Sequence, residues 1–349
     1  FLTFSIFFLF LIKKFKKNQN KKIFFFYGWL FGFGYFFSSL YWISISLTFD
    51  QSFKFLIPLT IILIPSFLAI FYGMISYFFV ILKPKKILSS FLLFSLIFAI
   101  LEFIRGSILT GFPWNLIAYS FSNHLEVLSI TSVIGTYGFN LFCISLFTSP
   151  ALFIIKDTRK DVGIFVFFII TIILFYFYGI SYKKNFNKLS EINYDYKVRA
   201  VGSNISLNRF YTNKDTASII QDLIDVSNPK KDEKTIFVWP EGIISNISLG
   251  ELIKYKPLFE KKFNENHLLV IGGNNLSVKD DSNFYFNSLS VYDNNLRLLN
   301  SYNKINLVPF GEFLPFENIL SNIGLKSLTN NYQSFTKGDH RNIIEIKKK

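Results

Sequence analysis

The apolar residues of this chain are grouped in two different ways. Up to about Tyr182 they gather into long runs; beyond it charged, Asn-rich and Ser-rich sequence breaks them up. A domain boundary is predicted there, giving residues 1–182 and 183–349. Six apolar segments precede it: Phe1–Ile12, Ile23–Ile45, Phe55–Leu82, Ile87–Ile104, Leu125–Ile155 and Val162–Tyr182. A helix needs about 20 mostly apolar residues to cross a bilayer core. Five segments reach or approach that length, and the short first one is read as a partial span. Pro58, Pro65, Gly73, Gly135 and Gly138 interrupt them, which membrane helices tolerate better than soluble ones. The expectation is a polytopic α-helical membrane domain of about six spans, the first partial.

From Tyr196 the periodicity changes. Lys197–Ile205 reads as a strand, Asp215–Val226 as an amphipathic helix and Thr235–Val238 as a short buried strand ending in Trp239-Pro240-Glu241. Leu249–Asn264 reads as a helix and His267–Ile271 as a strand closed by Gly272-Gly273. Phe284–Tyr292 and Leu296–Tyr302 form an antiparallel pair around Asp293-Asn294-Asn295. Helices and strands alternate first and strands then succeed strands, the order of a layered α/β domain.

Charge decides the orientation. Lys13, Lys14, Lys16, Lys17, Lys21 and Lys22 come after the first apolar segment, Lys83, Lys85 and Lys86 after the third, and Lys156, Arg159 and Lys160 after the fifth. The loops between, Ser46–Lys54 and Gly106–His124, hold one basic residue, with His counted neutral. Every second loop is basic, as positive-inside insertion requires. The sixth segment therefore leaves the cytoplasm and places the chain beyond Tyr182 outside; Lys183 and Lys184 oppose this only locally. The net charge of +14 is accordingly read as topology and compositional bias, not as a nucleic-acid surface. The single cysteine, Cys143, excludes an internal disulfide framework and a multi-cysteine metal site. No Gly-rich phosphate loop is present, and no metal or cofactor is expected.

Three places carry candidate chemistry. Glu102 and Arg105, at i,i+3 spacing, can pair, either as a functional site at membrane depth or as a salt bridge at the outer interface. The stretch after them, Thr110-Gly111-Phe112-Pro113-Trp114-Asn115, is an aromatic turn in which Trp114 also suits a plain interfacial anchor. Glu241 comes directly after Trp239-Pro240 at a strand end, where α/β sheets bind ligands. Lys304 precedes Leu307-Val308-Pro309-Phe310-Gly311-Glu312, so a Lys and a Glu lie eight residues apart in an apolar, Pro/Gly-shaped loop. A carboxylate among aromatic neighbours can take and return a proton, and an ammonium can stabilise an oxyanion. Each alone is as well read as a solvated or salt-bridged surface residue. Together they form acyl-transfer equipment without its nucleophile.

Trp239-Pro240-Glu241 and the pattern from Tyr302 through Lys304 to Leu307-Val308-Pro309-Phe310-Gly311-Glu312 resemble the nitrilase-type domain of apolipoprotein N-acyltransferases. Glu102-Phe103-Ile104-Arg105 with Gly111-Phe112-Pro113-Trp114 is similar to a membrane-half motif of that family, and Asn287-Ser288 to another of its signatures. The resemblance covers almost the whole chain. It implies membrane helices flanking a periplasmic nitrilase-like αββα sandwich, in a multi-pass protein of the bacterial inner membrane. It also implies a Glu–Lys–Cys triad whose cysteine takes an acyl chain from a phospholipid as a thioester. That chain then passes to the α-amine of a diacylglyceryl-cysteine lipoprotein precursor. Carried over, Glu241 is the base, Lys304 the electrostatic residue and Glu312 an assisting glutamate. Trp239, Phe310, Gly311, Trp114, Phe210 and Tyr211 are the expected substrate-binding residues.

The departures from the family pattern generate expectations of their own. The family's Cys-Tyr-Glu should come soon after Arg341–Ile346, and the sequence ends at Lys349 without it. Phe1 opens inside an apolar run. The chain is thus read as a fragment lacking its nucleophile and inactive by itself. Cys143, inside an apolar segment, is expected to be an inert buried residue. Gly202-Ser203 and Phe210-Tyr211 stand where the family usually has Gln, and Gln then Trp, beside the substrate entrance. Two other readings are kept: a membrane-tethered amidase or nitrilase of a small soluble substrate, and a non-catalytic membrane transporter or receptor with an outer binding domain. The last predicts charges along several spans and inverted repeats, which the sequence does not display.

Overall fold

The computed structural model describes residues 2–17, 20–48, 51–82, 84–108, 111–156, 159–189, 194–202, 215–244, 246–279, 282–309, 311–313, 334–341, 343 and 345, without the side chains of 52, 53 and 160. Two compact units, Phe1–Ile192 and Asn193–Lys349, make up the chain.

The first unit is helical: α1 (Leu2–Phe15), α2 (Lys21–Leu40), α3 (Ile57–Leu82), α4 (Ile87–Ser107), α5 (Leu125–Leu128), α6 (Thr131–Thr148), α7 (Leu152–Ile155) and α8 (Arg159–Leu189). Five helical stretches of 28, 29, 21, 25 and 29 residues, Lys21–Thr48, Lys54–Leu82, Ile87–Ser107, Thr131–Ile155 and Asp161–Leu189, are long and apolar enough to cross a membrane. The predicted segments fall on these elements, with α1 as the short first one. Leu125–Ile155, predicted as one segment, is instead broken, because Gly135 adopts φ +70° inside α6 and a 3-10 turn comes next at Ser149–Ala151. The unit extends past the composition break at Tyr182, since α8 continues through Lys183, Lys184 and Lys188.

Phenylalanines fill the core of this unit. Phe8, Phe79, Phe91, Phe94 and Phe98 are almost fully buried and meet largely edge to face. Gly28 and Gly32 let α2 approach α3: a Cβ on Gly28 would lie 2.3 Å from the Tyr72 carbonyl oxygen. Within this apolar packing sits the Glu102–Arg105 pair, both side chains at most 1% exposed. Arg105 donates from Nε to Glu102 Oε1 (3.0 Å) and from Nη2 to Oε2 (2.8 Å). Its Nη1 reaches the carbonyls of Phe112 (2.6 Å) and Trp114 (3.0 Å), and the guanidinium lies 5.2 Å from the Phe36 ring centre. Tyr35 Oη adds a hydrogen bond to the Asn115 carbonyl (2.7 Å). The pair therefore ties the 112–115 turn onto the end of α4. The pair is a buried salt bridge.

The second unit is built on one five-stranded sheet in the order β1 (Lys197–Ala200), β2 (Thr235–Trp239), β3 (His267–Lys279), β4 (Ser282–Tyr292), β5 (Leu298–Asn303). β1, β2 and β3 run parallel; β3, β4 and β5 are antiparallel. Helix α9 (Thr216–Ser227) buries Ile219, Ile220, Leu223 and Ile224 in a core with Phe237, Trp239, Phe259 and Phe263. The predicted Leu249–Asn264 helix is in fact a 3-10 turn, Leu249–Tyr255, succeeded by α10 (Lys256–Glu260). Pro257 accounts for the restart: it lacks the N–H that a continuous helix needs and is tolerated in the first turn of a new one. Gly272-Gly273 does not close β3, which runs on to Lys279 paired with β4. A mixed-sheet α/β unit thus succeeds a helical membrane unit, and among the described residues it holds this one sheet.

Replacing Glu102 with Ala leaves a buried guanidinium without its carboxylate, a change that costs about 3–5 kcal/mol when a buried pair is broken. Glu102→Ala is expected to lower the thermal denaturation midpoint in detergent markedly, and an unchanged midpoint would contradict this role.

Candidate active site

The sheet order brings three distant stretches to one end of β2, β4 and β5. After Trp239 the chain turns at Pro240, which cannot donate to the ladder, and Gly242 adopts φ +64°. Glu241 lies in this turn with its backbone against β3: a Cβ on Gly272 would fall 2.9 Å from Glu241 Cα. Gly272 is therefore what allows the turn to sit there. Two strands along, Lys304 leaves β5 with its N–H donated to the Asn287 carbonyl at 2.8 Å, which continues the β4–β5 register. Ser288 Oγ donates to Asn303 Oδ1 (2.6 Å) and fixes the residue before Lys304.

Glu312 returns to the same point through a tight loop. Its N–H donates to the Val308 carbonyl (2.8 Å), and its Oε2 accepts from the Val308 N–H (2.7 Å), so the loop is closed twice. Glu312 Oε1 then accepts from Lys304 Nζ at 2.9 Å, while Glu241 Oε1 accepts from the same ammonium at 3.1 Å. The Asn287 amide nitrogen also donates to both oxygens. Of the three charged side chains Glu312 is 12% exposed, Lys304 29% and Glu241 60%. Glu241 is thus the carboxylate open to an incoming group, and Glu312 the sheltered one.

Burial works against both charges of the Glu241–Lys304 pair, and hydrogen bonding overcomes it. Desolvation pushes the Glu241 carboxyl up, but hydrogen bonds from Asn287 and Lys304 and the ammonium's charge hold it below the usual range. Desolvation pushes Lys304 down, yet its two carboxylate partners hold it above its ordinary value. A lowered carboxyl stabilises the fold above its unfolded value, and that contribution disappears as pH falls through the folded value. A raised ammonium stabilises it below the unfolded value, and that contribution disappears as pH rises through the folded value. The Glu241–Lys304 pair is fully charged between those limits.

Other expected site residues lie elsewhere. Trp239 is a core residue: it is 1% exposed, its indole N–H donates to Ser227 Oγ (2.9 Å), and its ring packs on Phe259. That burial removes it from the substrate-facing set. Its position on β2 directs Thr235, Phe237 and Trp239 to one buried face. Gly311 lies in the turn that Glu312 closes, with its N–H donated to the Val308 carbonyl. Trp114 belongs to the first unit, half exposed and stacked on Trp42 at 5.1 Å. Phe210, Tyr211 and Phe310 lie outside the described residues. Cys143 is fully buried in α6. Among the described residues no group of three or more His, Cys, Asp or Glu could hold a metal. Asn287 and Gly272 were not singled out for a role by sequence. The resemblance of Asn287-Ser288 to a family signature was the available signal for the first.

The Gly272→Ala substitution is expected to push Glu241 away from Lys304 and to destabilise this unit by about 1–3 kcal/mol, as overpacking does. Thermal denaturation together with a structure of the variant checks both; Glu241 remaining in place would refute the first. The acid-side loss of stability should also shrink in Glu241→Gln, as measured by denaturation at a series of pH values.

Residues 1–149 match the family model of the apolipoprotein N-acyltransferase N-terminal domain. An apolipoprotein N-acyltransferase of Brucella melitensis is 30% identical over 332 residues, 92% of this chain and 61% of the relative. One of Rickettsia prowazekii is 29% identical over 339 residues, covering 95% and 65%. A third, of Rhodopseudomonas palustris, is 28% identical over 333 residues, covering 91% and 61%. The chain spans less than two thirds of the length of these curated relatives. By these matches the chain is similar to the apolipoprotein N-acyltransferases over most of its length.

Proposed function

We propose that the full-length protein transfers an acyl chain from a phospholipid to the α-amine of a diacylglyceryl-cysteine lipoprotein precursor, through a cysteine thioester. The observation that carries this reading is the convergence of Glu241, Lys304 and Glu312 at one end of the sheet, in a chain whose relatives are named apolipoprotein N-acyltransferases. The alternating lysine-rich loops support a multi-pass inner-membrane protein whose α/β unit faces the periplasm. The bilayer and its phospholipids are then the first partners, and the lipoprotein precursor the second. Trp114 and the loop bearing Phe310 and Gly311 remain the substrate-contacting candidates, with Phe210 and Tyr211.

In this mechanism the Glu241 carboxylate accepts the proton of a cysteine thiol presented to it. The thiolate attacks the ester carbonyl, an S–C bond forms, and the negative charge moves to the carbonyl oxygen. A lysine ammonium has three N–H donors. Two of those on Lys304 are engaged by Glu241 and Glu312 among the described residues, so the third serves the oxyanion. Collapse breaks the C–O bond, and the leaving alkoxide takes the proton from Glu241. In the second half the lipoprotein amine attacks the thioester, its proton passes by way of Glu241 to the departing thiolate, and the amide bond forms. Glu312 keeps Lys304 in place through both halves. The same groups would serve an amidase, which differs in releasing acid to water.

The test is transfer of an isotope-labelled acyl chain from phospholipid vesicles to a synthetic diacylglyceryl-cysteine peptide, read by mass spectrometry. The reconstituted full-length protein should place the label on the peptide's α-amine. Glu241→Gln and Lys304→Ala should each slow acyl-thioester formation by about 10²-fold or more. Label released only as free fatty acid, or hydrolysis of small amides with no peptide acylation, would replace this reading with the amidase one.

A further inference from the structure

We infer that Asn287 is a positioning residue of the cluster, whose side-chain amide holds Glu241 in place beside Lys304. The inference rests on the proposed role of Glu241 as the base. Asn287 lies on β4, is 8% exposed, and is locked to Lys304 through the backbone hydrogen bond from Lys304 N to its own carbonyl. Its amide nitrogen carries two hydrogens. One points to Glu241 Oε1 and the other to Glu312 Oε1, the two oxygens that also accept from Lys304 Nζ. Each oxygen thus receives one charged and one neutral donor, and the four contacts close a ring.

The two glutamates do not depend on this ring equally. Glu312 is anchored independently by the Val308 N–H and by the loop it closes. Glu241 stands on an exposed turn, and among the described residues its side chain is held by Asn287 and Lys304 alone. Lysine has a long flexible stem, whereas asparagine is short and its strand fixes it. Asn287 therefore supplies the rigidity that aims Glu241, and Lys304 supplies the charge. A neutral donor also favours the carboxylate without adding a second cation that would compete for the oxyanion. Against the upward push of burial, the Asn287 hydrogen bond is the largest of the influences that bring the Glu241 carboxyl down. A proton acceptor must be unprotonated to act, so the loss of Asn287 is felt first on the acid side.

The experiment is the pH profile of acyl-thioester formation by the full-length protein in vesicles of labelled phospholipid, for wild type, Asn287→Ala, Asn287→Gln and Asn287→Asp. Asn287→Ala should move the acid limb up by about one pH unit, the scale of a hydrogen bond to a charged group. The KM for phospholipid should stay unchanged. Asn287→Gln, which keeps the amide, should bring the limb back toward wild type. Asn287→Asp keeps the shape, removes the donor and adds a carboxylate, so it should move the limb at least as far as Ala. It carries the same conclusion if the alanine variant does not fold. A lowered rate with an unmoved acid limb in both Ala and Asp would overturn the inference and leave Asn287 a packing residue. Wild-type thioester formation by Glu241→Gln would instead remove the reading of Glu241 as base.

Discussion

Two carboxylates brought to one point repel each other unless a cation lies between them, and here that cation is Lys304. Its ammonium reaches one oxygen of Glu241 and one of Glu312. Without it, like charges in a partly dehydrated cleft would favour protonation of one glutamate, and that glutamate could not then act as a base. The division of exposure gives each group a different part. Glu312 is sheltered and tied to Val308, so it can hold the lysine; Glu241 is open, so it can meet an incoming group.

The sheet makes this meeting possible. Parallel pairing of β2 with β3 brings the Trp239-Pro240-Glu241 turn to the place where β3 begins its antiparallel course with β4. At that place the side chain of β3 is a glycine hydrogen, which leaves room for the backbone of Glu241. Antiparallel pairing of β4 with β5 then sets Asn287 and Lys304 in register. The buried face below, formed by Phe237, Trp239 and the apolar side of α9, keeps β2 from shifting. In the helical unit the same electrostatic logic operates in apolar surroundings. Arg105 is satisfied by Glu102 and by two carbonyls, so one ion pair also shapes the 112–115 turn.

Much of this was legible in the sequence, and the reason differs from one element to the next. Membrane-length apolar runs are a one-dimensional signal, so the helical segments could be read directly, as could the strands whose alternation is local. Glu241, Lys304 and Glu312 could be named from their motifs, yet their meeting could not be read from spacing, because Glu241 and Lys304 lie 63 residues apart. Gly272-Gly273 was misread as a strand end because glycine punctuates chains locally. Its use here is close approach to another segment, a property of tertiary structure. Pro257 splits a helix that apolar periodicity alone would have kept whole. Trp239 was expected to contact substrate by the family resemblance, but it shares the buried face of β2 with Thr235 and Phe237, and its indole lies in the core.

Lys304 and Glu312 act on each other directly, at 2.9 Å. A double-mutant cycle with Lys304→Met and Glu312→Gln, read by thermal denaturation of the purified protein, measures that coupling. The account predicts that the two substitutions are clearly non-additive, each costing less once the other has been made. Costs that simply add, within the ~0.3–0.5 kcal/mol found for independent sites, would contradict it.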